Sequence, residues 1–188
     1  MDPLMLESCL ESMTVLVDKR EQMTAKAKKR YDAFRTPYSR ATLDYGDYTY
    51  NFKLPNGKWL YGADTPSERI SPSISVERKM SLDELAQCFT RERKRFVAEF
   101  ERAKEHGARI YLLLENSTME NLVNGKYKSR FNSVAFLASV TAFMARYDMR
   151  LVMCKAETSG RLIKEILYRE LKERLQNGEY DWWRLDKT

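Results

Sequence analysis

Ser73-Ile74-Ser75-Val76-Glu77-Arg78-Lys79-Met80-Ser81-Leu82-Asp83-Glu84 is the stretch on which the fold turns. Ser73–Lys79 reads as a strand. Ser81 followed by Glu84 fits a capping box, in which each side chain satisfies a free backbone N–H at a helix start. A strand passing within a few residues into a helix is the repeating unit of an α/β protein. Side chains alternate along a strand, so Glu77 and Lys79 share one face while Arg78 points to the other. A carboxylate and an ammonium can therefore reach the same phosphate.

Downstream, one helix is predicted from Ser81 to about residue 105. Leu85, Phe89, Phe96, Phe100 and Ala103 fall on one side of it and Arg91, Arg95 and Arg102 on another, with Gly107 as the stop. Arg109–Glu115 contains the continuous apolar run Ile110–Leu114, the pattern of a central strand buried on both faces. Ser129–Tyr147 reads as a helix, Leu151–Cys154 as another buried strand and Gly160–Leu175 as an amphipathic helix.

Upstream, Thr14–Val17 is a short apolar strand that delivers Asp18 at its end, and Gln22–Phe34 is polar and weakly helical. Tyr45, Tyr48, Tyr50, Phe52, Trp59 and Tyr61 around the turn Pro55-Asn56-Gly57 predict a β-hairpin over Ala41–Leu60, followed by a loop over Ala63–Pro72. The whole predicts an α/β fold, a mixed central sheet flanked by helices. Residues 1–13 are expected to be an N-terminal extension, 14–177 the folded domain with a hairpin insertion near 48–72, and 178–188, with Trp182 and Trp183, a C-terminal tail.

The chain has 188 residues, 43% hydrophobic and 32% charged, a length that suits one domain. Such a chain buries roughly 70% of its unfolded surface, which excludes a mini-protein dependent on disulfides or a structural metal. Its 33 Lys and Arg against 27 Asp and Glu give a formal charge of +6. That balance favours anionic partners, nucleic acid or a membrane surface, without choosing between them. Cys9, Cys88 and Cys154 are odd in number and unpaired in spacing, which points to a reducing, cytoplasmic compartment. Met1–Met13 lacks a basic n-region, and no apolar run approaches the roughly 18 residues of a membrane helix.

Three acidic segments follow one another: Val17-Asp18-Lys19-Arg20-Glu21, Gly46-Asp47-Tyr48, and Glu77-Arg78-Lys79 with Asp83 four residues on. Singly, each reads as surface salt bridges. In this order they closely resemble the XPF family of structure-specific endonucleases, whose nuclease domain carries V-D-x-R-E, then G-D, then E-R-K-x-x-x-D. The resemblance runs from about Thr14 to Leu175, although only the motif positions are specific. It implies the fold of restriction-type nucleases, with two carboxylates and a lysine on a shared sheet core.

Carried over residue by residue, the resemblance makes Asp47 and Glu77 central metal ligands, with Asp18 completing the acidic cluster and Lys79 orienting or activating water. Glu21 and Asp83 become supporting members. Arg78 is expected to pair with Glu21 or Asp83 behind the site or to support DNA binding, and Arg20 is open to the same readings, a structural salt bridge among them. The chemistry agrees: phosphodiester hydrolysis needs charge neutralised at phosphorus and water made more nucleophilic, and Mg²⁺, with Mn²⁺ as substitute, supplies both through oxygen ligands. The implied activity is metal-dependent hydrolysis of DNA at junctions, flaps or single-strand/double-strand boundaries. The competing reading is a non-catalytic DNA-binding or assembly subunit, since the family includes pseudonuclease partners.

The 29 residues between Asp47 and Glu77 exceed the family's usual connection and hold either a substrate-contacting or an edge hairpin. Tandem helix-hairpin-helix modules, common in cellular relatives, are not seen after Leu175, so a compact form of the bacterial or phage kind is expected, with a recruiting protein as a possible source of substrate choice. Arg91, Arg93, Lys94, Arg95 and Arg102 are candidate phosphate contacts, as are Lys126, Lys128 and Arg130. Pairing of the first group with Glu92, Glu99, Glu101 and Glu105 along the helix is the alternative. Family members dimerise through late helices. Phe131, Val134, Phe136, Leu137, Val140, Phe143 and Met144, with Leu162, Ile166, Leu171 and Leu175, leave apolar surface for a homodimer. His106, Cys88 and Cys154 are expected to have no catalytic role.

Overall fold

A computed structural model describes residues 1–182 and divides them into two compact units. The first comprises Met1–Leu43, Tyr48–Ile70 and the chain from Gly160 onward; the second comprises Asp44–Asp47 and Ser71–Ser159. Neither is continuous in sequence, so neither shows as a boundary in composition.

The first unit contains α1 (Pro3–Glu11), β1 (Thr14–Asp18), α2 (Ala25–Asp32), β2 (Tyr38–Leu43), β3 (Tyr48–Asn51), β4 (Arg69–Ile70) and most of α7 (Ala156–Gln176). Its strands lie in the order β4-β2-β1-β3. β1 pairs in parallel with β2 and antiparallel with β3, and β2 pairs in parallel with β4, so the sheet is mixed as expected. β1 is buried throughout, which explains its unbroken apolar sequence.

The predicted hairpin is smaller than expected. β2 and β3 lie on opposite sides of β1 instead of pairing with each other. Only the Pro55-Asn56-Gly57 turn folds back, through the bridge Lys53–Trp59 and the bond from the Leu54 amide to the Lys58 carbonyl. Tyr48, Tyr50 and Phe52 are wholly buried, so these aromatics build core.

The second unit contains β5 (Ile74–Lys79), α3 (Leu82–Phe89), α4 (Arg93–Glu105), β6 (Arg109–Glu115), α5 (Met119–Val123), α6 (Ser133–Tyr147) and β7 (Arg150–Cys154). β5, β6 and β7 are neighbours in that order and all parallel. Phe89, Phe96, Phe100, Phe136 and Phe143 from α3, α4 and α6 form the aromatic centre of its core. Two expectations change here. The single helix predicted after Ser81 is broken at Thr90 (φ −115°, ψ −86°), whose hydroxyl donates back to the Ala86 carbonyl at 2.8 Å. β7 is only half-buried, with Arg150 exposed, because it has a single neighbour in this unit.

Candidate active site

β5 fixes the third motif by register. Glu77, Arg78 and Lys79 lie beside Leu112, Leu113 and Leu114 of β6, so Glu77 and Lys79 share one face. Both are buried, at 4% and 9% exposure, and the Lys79 ammonium donates to the Glu77 carboxylate. Burial works against the charged form of Lys79, but the carboxylates of Glu77 and then Asp47 outweigh it and hold its pKa well above the usual lysine value. Lys79 therefore stays a cation at neutral pH. Its Nζ also lies 5.9 Å from the Phe96 ring centroid, within cation–π reach.

Asp47 belongs to the same unit. Its amide donates to the Val76 carbonyl at 2.9 Å, and its Oδ2 accepts from the Arg78 amide at 2.8 Å. The carboxylate is thus held against the backbone that carries Glu77 and Lys79. The turn before it depends on Gly46, at φ +73°, where an added Cβ would lie 2.5 Å from the Ser75 Cβ. Glycine is required there by conformation and by space.

Arg78, on the opposite face, pairs with Glu115 at 3.2 Å, a partner the sequence did not single out. Glu115 ends β6, and both side chains are largely buried. Sequence reasoning passed over Glu115, although a carboxylate closing an apolar central strand was a usable signal. Asp83 caps a loop: its Oδ1 accepts from the amides of Lys128 and Ser129 at 2.8 and 2.6 Å.

The first motif lies in the first unit. Asp18 accepts from the Arg20 amide and Nε, both at 2.7 Å, through Oδ1, and from Arg20 Nη2 at 3.2 Å and the Leu43 amide at 2.8 Å through Oδ2. An ionised carboxylate offers about four lone-pair positions, and these four donors fill them. The geometry thus gives Asp18 a structural task, where the sequence suggested a metal ligand. Arg20 takes the salt-bridge reading and also reaches the Leu43 carbonyl at 3.1 Å. Glu21 accepts from the Tyr48 hydroxyl at 3.0 Å and lies 3.7 Å from Arg30.

Asp47 and Glu77 are the carboxylates with which a hard divalent cation could be held. Among the described residues no group of three or more His, Cys, Asp or Glu side chains gathers as a metal cage. Mg²⁺ commonly keeps several waters and takes one or two carboxylates with a substrate phosphate, so this smaller donor set fits it. Cys88, nearby, is no nucleophile: burial, with Glu77 reinforcing it against the opposing effect of Lys79, pushes its thiol up to about 12. None of the three cysteines is in a disulfide.

The basic residues divide. Arg95, though exposed, pairs with Glu92 at 2.6 Å, and Arg102 reaches the Asp44 carbonyl at 3.2 Å. Arg91, Arg93 and Lys94 are exposed. Lys126, Lys128 and Arg130 are exposed on alternate residues and form no ion pair among the described residues. No helix among the described residues is long and apolar enough to cross a membrane. Trp183 lies outside the described residues.

Among solved structures, XPF from Aeropyrum pernix is 21% identical, with 84% of this chain and 61% of that one covered and a TM-score of 0.56. XPF from Aeropyrum pernix in complex with DNA is 24% identical, with 85% and 65% covered and a TM-score of 0.55. The likeness extends the α/β fold to both, and this chain spans less than two thirds of either. No curated protein matches. A family model described as the ERCC4 domain matches residues 17–166. That span contains all three acidic motifs, and the chain belongs to the ERCC4 domain family, the XPF-type nuclease domains.

Proposed function

We propose that the protein is a divalent-metal-dependent DNA endonuclease. The observation that carries this reading is the buried Glu77–Lys79 pair with Asp47 bonded to the intervening Arg78 amide, inside an ERCC4 domain. Asp47 and Glu77 would hold Mg²⁺ or Mn²⁺. Bound there, the metal would neutralise phosphate charge and acidify a water. Lys79, paired with Glu77 on the same face, would donate to a phosphate oxygen or orient the attacking water. Arg78 and Glu115 brace the strand from the other face.

DNA as substrate is supported by the fold shared with the XPF–DNA complex and by the exposed cations Lys126, Lys128 and Arg130. Branched DNA, a homodimer and a recruiting protein belong to the same proposal. For the dimer, Phe136, Val140 and Phe143 are taken up by the core, leaving the exposed Val134 and the half-buried Leu137 and Met144 on α6. A monomer in light scattering for Val134→Glu, beside a wild-type dimer, is the expected result.

A second reading, a DNA-binding or assembly subunit without catalysis, is favoured by the saturated Asp18 carboxylate. Incubation of duplex, nicked, flap, fork and four-way junction DNA with Mg²⁺, Mn²⁺ or EDTA separates the two. Metal-dependent cutting, strongest on branched substrates, is expected. DNA binding without cutting under any metal would favour the second reading.

A further inference from the structure

The Asp44–Asp47 loop is held by one helix at two points. Glu99 and Arg102 of α4 stand three residues apart and so share a face. Glu99 Oε1 accepts from the Gly46 amide at 2.8 Å, and Arg102 Nη2 donates to the Asp44 carbonyl at 3.2 Å. Tyr45, wholly buried between these points, donates its hydroxyl to the Pro72 carbonyl at 2.8 Å, and Ser71 donates to the Asp44 carboxylate. Gly46 offers no side chain by which the turn could be fixed. Its orientation is therefore set by its amide, and that amide is bound by a carboxylate from α4. The next amide, that of Asp47, is bound by Val76. Two consecutive peptide groups are thus fixed immediately before the Asp47 side chain.

We infer that Glu99, seconded by Arg102, is a positioning residue for the metal site: it aims the Asp47 carboxylate through the Gly46 peptide and does not itself touch metal or substrate. The inference rests on the reading of Asp47 as a metal ligand. Glu99 thus has a use beyond pairing with arginines along its own helix, and Arg102 one beyond phosphate contact. Groups that orient a ligand commonly change metal affinity about 10- to 100-fold when removed.

Mn²⁺ titration by calorimetry, together with amide exchange of Gly46 in the metal-free protein, tests the inference on wild type, Asp47→Asn, Glu99→Ala, Glu99→Gln and Arg102→Ala. Glu99→Ala is expected to weaken Mn²⁺ binding about tenfold and to speed Gly46 exchange. Glu99→Gln keeps an acceptor oxygen and should restore both. If Asp47→Asn weakens Mn²⁺ binding while Glu99→Ala leaves it at the wild-type value, the inference falls and the metal-site reading stands. If Asp47→Asn itself leaves binding unchanged, the metal-site reading falls and takes the inference with it. Should Glu99→Ala fail to fold, Arg102→Ala decides: weaker Mn²⁺ binding supports the clamp, and unchanged binding overturns it.

Discussion

The backbone amide of Arg78 donates to Oδ2 of Asp47 at 2.8 Å, while the amide of Asp47 donates to Val76 at 2.9 Å. This reciprocal link joins two motifs whose Asp47 and Glu77 have 29 residues between them in the chain. It makes the Glu77-Arg78-Lys79 strand the template on which Asp47 is set. Disturbing either side should therefore disturb the other.

Gly46→Ala should be more damaging than Gly57→Ala. Both positions have positive φ, +73° and +82°, and both substitutions incur roughly 1–2 kcal/mol of left-handed backbone strain. Only at Gly46 does the added Cβ meet a neighbour, Ser75 at 2.5 Å, while Gly57 faces open space. Thermal unfolding of the two variants should show the larger loss at Gly46. Equal melting temperatures would mean that the turn has room to shift.

Lys79→Met should destabilise the fold by about 3–5 kcal/mol, because it leaves the buried Glu77 carboxylate without its ammonium. The double variant Glu77→Gln with Lys79→Met should recover part of that loss, since no buried charge is then left over. Urea unfolding at neutral pH measures both. A loss under about 1 kcal/mol in the single variant would place the pair among weakly coupled surface bridges.

Asp18→Asn should lower stability by about 2–3 kcal/mol, because the amide cannot accept from all four donors that the carboxylate satisfies. Mn²⁺ affinity should stay within the error of the titration. A pronounced loss of Mn²⁺ binding, with the fold intact, would return Asp18 to the ligand set that the sequence first suggested.

Replacing Lys126, Lys128 and Arg130 together by alanine should weaken DNA binding and reduce the slope of log affinity against log salt by about 2–3. Fluorescence anisotropy at several salt concentrations measures the slope. Arg95→Ala, which removes a residue already paired with Glu92, should change it much less. An unchanged slope in the triple variant would exclude these residues from the DNA surface.

Much of the fold was legible because its central pieces announce themselves locally. The run Ile110–Leu114 bounded by Arg109 and Glu115 gave β6 to the residue, and the Ser81 cap is present, its hydroxyl accepting from the Glu84 amide at 3.3 Å. Alternation alone put Glu77 and Lys79 on one face. What local pattern could not supply was the choice of distant partner. Arg78 selects Glu115, Asp83 selects the Lys128 and Ser129 amides, and Asp18 is filled by Arg20 and the Leu43 amide. Each of those choices is made by tertiary packing. The break at Thr90 was missed for a related reason, since the apolar stripe continues across it from Phe89 to Phe96 while the hydroxyl ends the helix. Glu99 gave no sequence signal beyond its spacing to nearby arginines.

Cleavage of branched DNA with Mg²⁺, compared between wild type and Glu77→Gln at matched protein and DNA concentrations, tests the central claim most directly. Glutamine retains the size of Glu77 while removing the charge that would hold the metal. The account predicts wild-type cutting that requires the metal, and at least a hundredfold slower cutting, about 3 kcal/mol in barrier, by a folded variant that still binds the DNA. Cutting by Glu77→Gln at the wild-type rate would contradict it.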